Sequence, residues 1–282
     1  MATWLPATEK TLSTAELLES ILLQLDLQTL LTSAQRTCRT WTNLIRGSPA
    51  LQRALYFTPV SDTRGHEAVL NPLLIDTFPS FFEVENETLF GGGNGTLLAS
   101  LRMFKQPETQ ASFLREEASW RRMLVQQPPV FKIARWHCSV GQFGVYLYRE
   151  IPENPRKTQN GLRMETLFEE IFFDPEPEFG YFESIAVTWW KRYTHDVSSV
   201  QCLETLGNFK VDTDILISSC SSSGCLTPAI LCEQGPPLDV HLKSKVWSGY
   251  RKLGLRPKCR KDKGWLGTVQ QFDFEIGLDF DD

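Results

Sequence analysis

The sequence predicts an α+β protein in which an N-terminal all-α module is followed by a mixed α+β domain without repeats. Leucines recur at helical spacing over residues 13–57, whereas β-branched and aromatic residues, typical of strands, are dense over 130–150. Helical spacing returns over 162–172, and no repeat with a period of about 20 to 50 residues is visible. The chain therefore divides into an N-terminal tail (1–12), the helical module (13–57), a linker with helical and loop segments (58–112) and the α+β domain (113–282).

The composition of the chain excludes several classes of protein. Its 282 residues suffice for one small module and one larger domain, and 41% hydrophobic residues indicate a packed core. A net charge of −5 argues against a nucleic-acid binder, and no run approaches the roughly 20 apolar residues that span a bilayer. Seven cysteines without regular spacing fit reduced thiols. We therefore expect a cytoplasmic or nuclear protein that binds neither membranes nor nucleic acid.

The first helix of the module is predicted to begin near Thr14. Ser13 and Glu16 match the S-x-x-E capping box, in which two side chains satisfy backbone N–H groups of the first turn. The apolar residues that follow recur at i, i+1, i+4, i+5 and i+8, which lays a broad stripe on one helical face. These residues are Leu17, Leu18, Ile21, Leu22 and Leu25.

Further helices are predicted up to Phe57. Asp26 is placed to cap a second helix, Gly47 can close a third in the left-handed conformation, and Ser48-Pro49 can start a fourth. The apolar residues of the second and third helices are Leu27, Leu30, Leu31, Ala34, Cys38, Trp41, Leu44 and Ile45.

This module has more leucines than its own interior can hold. Three or four helices in about 45 residues bury a low fraction of their surface. Each fully buried leucine contributes roughly 1.5–3 kcal/mol, so several left in water are a large penalty against a marginal total stability. We therefore predict that another polypeptide covers part of the module.

The spacing of the module resembles an F-box, a small helical domain that docks on an adaptor of the Skp family. The family's Glu-Leu-Leu-x-x-Ile-hydrophobic-x-x-Leu run corresponds to residues 16–25, its leucine pair to Leu30 and Leu31, and its Cys-x-x-Trp to Cys38 and Trp41. The adaptor-binding residues that this resemblance implies are Leu17, Leu18, Ile21, Leu22, Leu25, Leu30, Leu31, Cys38 and Trp41.

The resemblance covers about a sixth of the chain and departs from the family pattern at two positions. The proline usually found before the glutamate is Ala15, and the valine usually found before the cysteine is Thr37. The missing proline removes some rigidity at the helix start, which the capping box can restore. A softer resemblance, to F-box proteins of filamentous fungi, lies in the Ser-Trp-Arg-Arg-Met segment over 119–123. The alternative is an ordinary helical cap of a larger domain.

The F-box resemblance implies a substrate-recognition subunit of a Skp-cullin-F-box (SCF) ubiquitin ligase. Such a subunit binds the Skp-family adaptor, engages a cullin through it, and recruits a protein substrate with the rest of the chain. It is not itself an enzyme and uses no cofactor or metal. Two alternatives remain open: a regulatory protein that binds the adaptor without a cullin, and an enzyme whose N-terminal helices are a cap.

Beyond the module, the periodicity predicts mixed helices and strands. Helices are expected over 69–78, ended by Pro79, over 113–129, ended by a double proline, and over 162–172. A hairpin is expected over 130–150. Further strands are predicted over 184–193, 213–219 and 268–280, with a short helix over 198–206.

Candidate chemistry in the α+β domain is sparse. Trp120 either anchors the core, with Arg121 and Arg122 solvated, or holds a substrate together with these two arginines, and we favour the core. The carboxylates of one helix suit either an acid and base pair or a solvated face, and we favour the solvated face. These carboxylates are Glu165, Glu169, Glu170 and Asp174. A candidate zinc set lacks the usual C-x-x-C pair, and we favour buried or unreactive thiols instead. It would consist of Cys220, Cys225, Cys232 and His241.

Two charged segments lie near the end of the chain. Residues 251–263 hold seven basic residues against a single acid, which suits a solvated loop, nuclear import, an anionic partner or an acidic substrate motif. Residues 273–282 carry only acidic charges, which could pair with the basic run of the same molecule.

Overall fold

A computed structural model describes residues 11–60, 67–82, 98–140, 145–151, 160–173, 183–189, 212–222, 238–258 and 270–271. Helices and a mixed β-sheet are both present, which confirms the predicted α+β class. The predicted helix over 198–206 and the acidic segment 273–282 lie outside the described residues.

The N-terminal module consists of four consecutive helices. They are α1 (Ala15–Leu22), α2 (Leu27–Thr29, a π-helical turn Leu30–Ala34, and Gln35–Thr37), α3 (Arg39–Gly47) and α4 (Pro49–Ala54). The two predicted caps of α2 and α4 are confirmed. Asp26 Oδ1 accepts the Thr29 N–H at 2.8 Å, and Ser48 Oγ accepts the Leu51 N–H at 3.1 Å.

The predicted ends of α1 and α3 are wrong in detail. The N-cap of α1 is Thr14 rather than Ser13, and its side chain makes no capping hydrogen bond, so the capping box does not form. Gly47 is the last residue of α3 and is not in the left-handed region. The helix instead stops because Ser48, which follows it, is extended and caps α4.

Short helices connect the module to the sheet. They are α5 (Pro72–Thr77), α6 (Pro79–Phe82), α7 (Arg102–Lys105), α8 (Gln110–Leu114) and α9 (Ser119–Arg122), with 3-10 turns at Leu98–Ser100 and Pro107–Thr109. Pro79 therefore begins a helix as well as ending one. The predicted helix over 69–78 starts late, because Val69–Leu70 forms a strand, β1.

The single helix predicted over 113–129 is wrong. It breaks at Arg115, whose ψ is 151°, and strand β2 (Gln126–Gln127) replaces its end by pairing antiparallel with β1. The backbone of this segment bonds to distant parts of the chain. The Leu124 N–H donates to Tyr56 O at 2.8 Å and the Val125 N–H to Leu162 O at 3.2 Å. Because those N–H groups have tertiary partners, the helical ladder cannot continue.

A five-stranded sheet forms the β layer. Its strands are β3 (Ile133–Val140), β4 (Val145–Ile151), β5 (Glu183–Thr188), β6 (Ile215–Ser222) and β7 (Gln270–Gln271). The strand order is β5-β6-β3-β4-β7, in which β3 and β6 are parallel and all other neighbours are antiparallel. The predicted hairpin is confirmed as β3 and β4.

Two longer helices, α10 (Met164–Phe173) and α11 (Leu238–Lys252), pack near the sheet. Helix α10 confirms the prediction over 162–172. Its Phe168 lies 5.0 Å from Trp120, ring centre to ring centre, so Trp120 belongs to the core as predicted. Helix α11 was not predicted, although its buried Leu242, Val246 and Tyr250 stand at i, i+4 and i+8.

Hydrogen bonds to backbone carbonyls of the helical module join it to the α+β region. Besides the Leu124 bond to Tyr56, the Arg163 guanidinium donates to Phe57 O at 3.2 Å and the Gln127 amide donates to Arg53 O at 2.9 Å. One continuous cluster of buried apolar side chains runs from Leu18 to Tyr250. The module is therefore packed on the rest of the described chain.

Candidate functional site

Three of the nine predicted adaptor-binding residues lie in the interior. Leu18, Leu22 and Leu30, here called the inner set, are 0–1% exposed and pack in the hydrophobic core. Ile45 from α3 and Leu51 from α4 are buried in the same core. The inner set therefore holds the module together and offers no surface to a partner.

The other six predicted residues, here called the outer set, keep solvent-accessible surface. Leu17 and Ile21 are 48% and 41% exposed, and they neighbour one another because they stand four residues apart on α1. Cys38 is exposed with a free thiol. Leu25, Leu31 and Trp41 are half-buried against the core.

Two further apolar residues of this surface were missed by the sequence reasoning. Leu12 and Leu23 are both exposed and flank the two ends of α1. Among the described residues, eight large apolar side chains are exposed, and four of them lie between positions 12 and 23. The signal in the sequence was the density of leucines itself, which exceeds what one helical face can bury.

Contacts behind α1 fix the orientation of its exposed side. The Ser48 hydroxyl donates to the Glu19 carboxylate of α1 while it caps α4. In α2, the π-helical turn places Leu30 and Ala34 in the core and leaves Leu31 half-buried. Leu17 and Ile21 therefore sit on a helix that is anchored from its opposite side.

A second candidate site surrounds the guanidinium of Arg121, which is 3% exposed. Its Nη1 donates to Glu165 Oε1 at 3.1 Å and to the Tyr250 hydroxyl at 2.9 Å. Its Nη2 and Nε donate to backbone carbonyls of Leu114 and Arg115 at 2.7 and 3.0 Å. The prediction that Arg121 is solvated is wrong, because these four acceptors replace water. Arg122 is exposed, as predicted.

The carboxylates next to Arg121 are not a solvated helix face. Glu169 and Glu170 are buried, Glu165 is half-buried, and Asp174 lies outside the described residues. Burial raises the pKa of Glu169, and the nearby charge of Glu165 raises it further, while the Lys258 N–H at 2.6 Å acts in the opposite direction.

Lys258 completes this second site. Its Nζ lies 2.9 and 3.0 Å from the two oxygens of Glu165, and the group borders a cleft of about 260 Å³. Burial raises the pKa of Tyr250, which keeps its hydroxyl neutral. Because Arg121 of α9 donates to Glu165 of α10 and to Tyr250 of α11, the arrangement connects these three helices.

The candidate zinc set lies only partly within the described residues. Cys220 lies on β6 and His241 on α11, while Cys225 and Cys232 fall outside them. No group of three or more His, Cys, Asp or Glu residues suited to a metal occurs among the described residues. His137 is buried on β3, with its Nδ1 2.8 Å from the Ser219 hydroxyl.

Comparison of the chain with protein-family models, with curated proteins and with solved structures finds no match. In the segments that the structure describes, no helix is long and apolar enough to cross a membrane.

Proposed function

We propose that the chain is the substrate-recognition subunit of an SCF ubiquitin ligase and that its outer set contacts the Skp-family adaptor. The observation that carries the proposal is the exposure of Leu17 and Ile21 on a module whose interior is already filled by the inner set. Stability of the isolated chain gives no reason for these two side chains to be apolar. A partner that covers them does.

The energetics of such an interface are reasonable. A leucine that becomes fully buried contributes roughly 1.5–3 kcal/mol, and Leu17 and Ile21 retain nearly half of that surface in the free chain. A few well-buried anchors supply most of the affinity of a typical interface. The half-buried Trp41 is of the residue type most enriched among such anchors.

The mechanism that follows from this proposal is proximity. The adaptor and cullin bring a ubiquitin-charged conjugating enzyme, and the α+β region holds a target protein beside it. Holding two reactants in place converts an encounter into a nearly unimolecular step, which contributes several kcal/mol to the rate. The protein itself forms no covalent bond in this scheme, and the paired charges around Arg121 are consistent with a structural use of the cleft that they border.

Affinity capture of purified Skp-family adaptor by the immobilised chain tests the proposal. We expect a Leu17→Asp, Ile21→Asp variant to bind at least about a hundredfold more weakly, which corresponds to about 2.7 kcal/mol. The matched control is Val69→Asp, Ile75→Asp, which alters two exposed apolar residues outside the module. Undiminished capture by a folded Leu17→Asp, Ile21→Asp variant contradicts the proposal.

The choice of outer residues is essential to that experiment. Aspartate at Leu18 or Leu22 would place a charge in the core and unfold the module, so loss of binding would not identify a contact. Circular dichroism of each variant confirms that it remains folded.

The cullin-independent alternative is separated by co-purification. A tagged chain expressed in cells should recover a cullin together with the adaptor if it is a ligase subunit. Recovery of the adaptor alone favours the regulatory alternative.

A further inference from the structure

We infer that an exposed basic surface at the end of α11 binds an acidic, leucine-containing segment of a partner protein. This surface, here called the basic corner, consists of Arg251, Lys252, Leu253, Gly254 and Arg256. The inference deepens the proposed function by naming the class of substrate. It rests on that function only for its biological role, since binding to the corner is measured independently of the adaptor.

The charges of the basic corner are available. Arg251, Lys252 and Arg256 are exposed, and within the described residues their side chains make no hydrogen bond or ion pair. The segment 251–258 contains four basic residues and no acid, and the fourth, Lys258, is already paired with Glu165. Cations in a last helical turn stabilise the helix dipole, which explains Arg251 and Lys252, but Arg256 lies beyond the helix.

The corner also presents an apolar contact. Leu253 is 40% exposed and lies directly after the two cations of the helix end. The adjoining cleft of about 260 Å³ shares Gly254 and Arg256 with the corner, but its lining is mainly charged, so the apolar contact comes from Leu253. A partner segment that contacts both Leu253 and the cations beside it combines an apolar side chain with flanking acids.

The backbone of the corner is held in one conformation. Gly254 has φ of +68°, its N–H donates to Arg251 O at 3.1 Å, and the Leu255 N–H donates to Tyr250 O at 2.9 Å. These two bonds form a Schellman motif, which needs glycine at this position. Lys258 anchors the following residues through Glu165 and Glu169. A rigid surface loses less conformational entropy when it binds.

Charge and shape favour a peptide over a nucleic acid. The whole chain carries a net charge of −5, which repels a long polyanion, whereas a short acidic segment interacts mainly with the local cations. The exposed Leu253 adds contact area that a phosphate backbone does not use.

The test is fluorescence anisotropy of the full chain with a labelled peptide of Asp and Glu residues around one leucine. We expect salt-sensitive binding that weakens at least about tenfold in an Arg251→Glu, Lys252→Glu variant, equivalent to about 1.4 kcal/mol. Leu253→Ser should weaken binding several-fold. The matched control is Arg36→Glu, Arg39→Glu, which makes the same charge change at two exposed arginines of the helical module and should leave peptide affinity within about twofold.

Four outcomes overturn the inference. The first is that the Arg251→Glu, Lys252→Glu variant binds the peptide as tightly as wild type. The second and third are that wild type binds a peptide without leucine, or a single-stranded DNA of the same charge, as tightly as the leucine-containing peptide. The fourth is that the peptide binds only after the acids of residues 273–282 are replaced by their amides. The last result would mean that the chain covers its own basic corner. Adaptor capture by the Arg251→Glu, Lys252→Glu variant should equal that of wild type, so a failure here is distinct from a failure of the proposed function.

Discussion

Two regions of the described chain differ in the kind of side chain that they expose to solvent. The N-terminal module exposes apolar side chains such as Leu17 and Ile21, whereas the region around α10 buries charged ones such as Arg121 and Glu169. Each buried charge has partners inside the molecule, but the exposed apolar groups have none among the described residues to cover them. The buried charges are thus explained by contacts within the fold, and the exposed leucines are the side chains that we propose a partner covers.

The largest expected effect comes from removing one of the buried charges. Arg121→Met should lower the free energy of unfolding by about 3–5 kcal/mol, because Glu165, Glu169 and two backbone carbonyls lose a donor or countercharge in the interior. Chemical denaturation measures the change. The neighbouring Arg122→Met is the control and should cost below about 1 kcal/mol, since Arg122 is exposed above the Phe57 ring. Similar losses in both variants would contradict the structural role of Arg121.

Two adjacent leucines of α1 test the division between buried and exposed apolar residues. Leu18→Ala should cost about 2–5 kcal/mol of stability because it leaves a cavity in the core. Leu17→Ala should change stability by less than about 1 kcal/mol but weaken adaptor capture, since its side chain is exposed. Chemical denaturation and adaptor capture, both measured on the same two variants, show whether stability and binding depend on different leucines. If both variants lose stability equally, the division into inner and outer sets is wrong.

The smallest expected effect is a pH dependence at Glu169. Burial raises its folded-state pKa above the ordinary value of 4.5, so folding takes up a proton between those two values. The contribution to stability is fully present below pH 4.5 and is lost as the pH rises through the folded-state pKa. Wild type should therefore gain stability relative to Glu169→Gln as the pH falls from neutral towards 4.5. A difference between the two proteins that does not vary with pH in denaturation series would refute this.

Sequence reasoning succeeded where the cause of structure is local. The caps at Asp26 and Ser48 each depend on a side chain and an N–H three residues away, and the hairpin of β3 and β4 depends on neighbouring strands. The helix over 113–129 was predicted wrongly because Leu124 and Val125 donate to Tyr56 and Leu162, which no local pattern reveals.

The residues of the candidate site could be predicted from the sequence, but which of their side chains face solvent could not. Leu17 and Leu18 are the same residue type at successive positions, and the packing of α3 and of the α4 cap residue Ser48 against α1 decides which one is buried. The burial of Arg121 was not predictable, because one of its partners, Tyr250, lies 129 residues further along the chain. Helix α11 could have been found from the spacing of Leu242, Val246 and Tyr250.

The joint between the helical module and the α+β region has a geometric consequence. Tyr56, with φ of 60°, and Phe57 both offer carbonyls to residues beyond position 120, so the module is fastened by hydrogen bonds and packing rather than by a tether. In the proposed ligase such a joint would hold a captured protein at one fixed distance and angle from the adaptor. Lengthening the chain at this joint should then change which lysines of the captured protein receive ubiquitin.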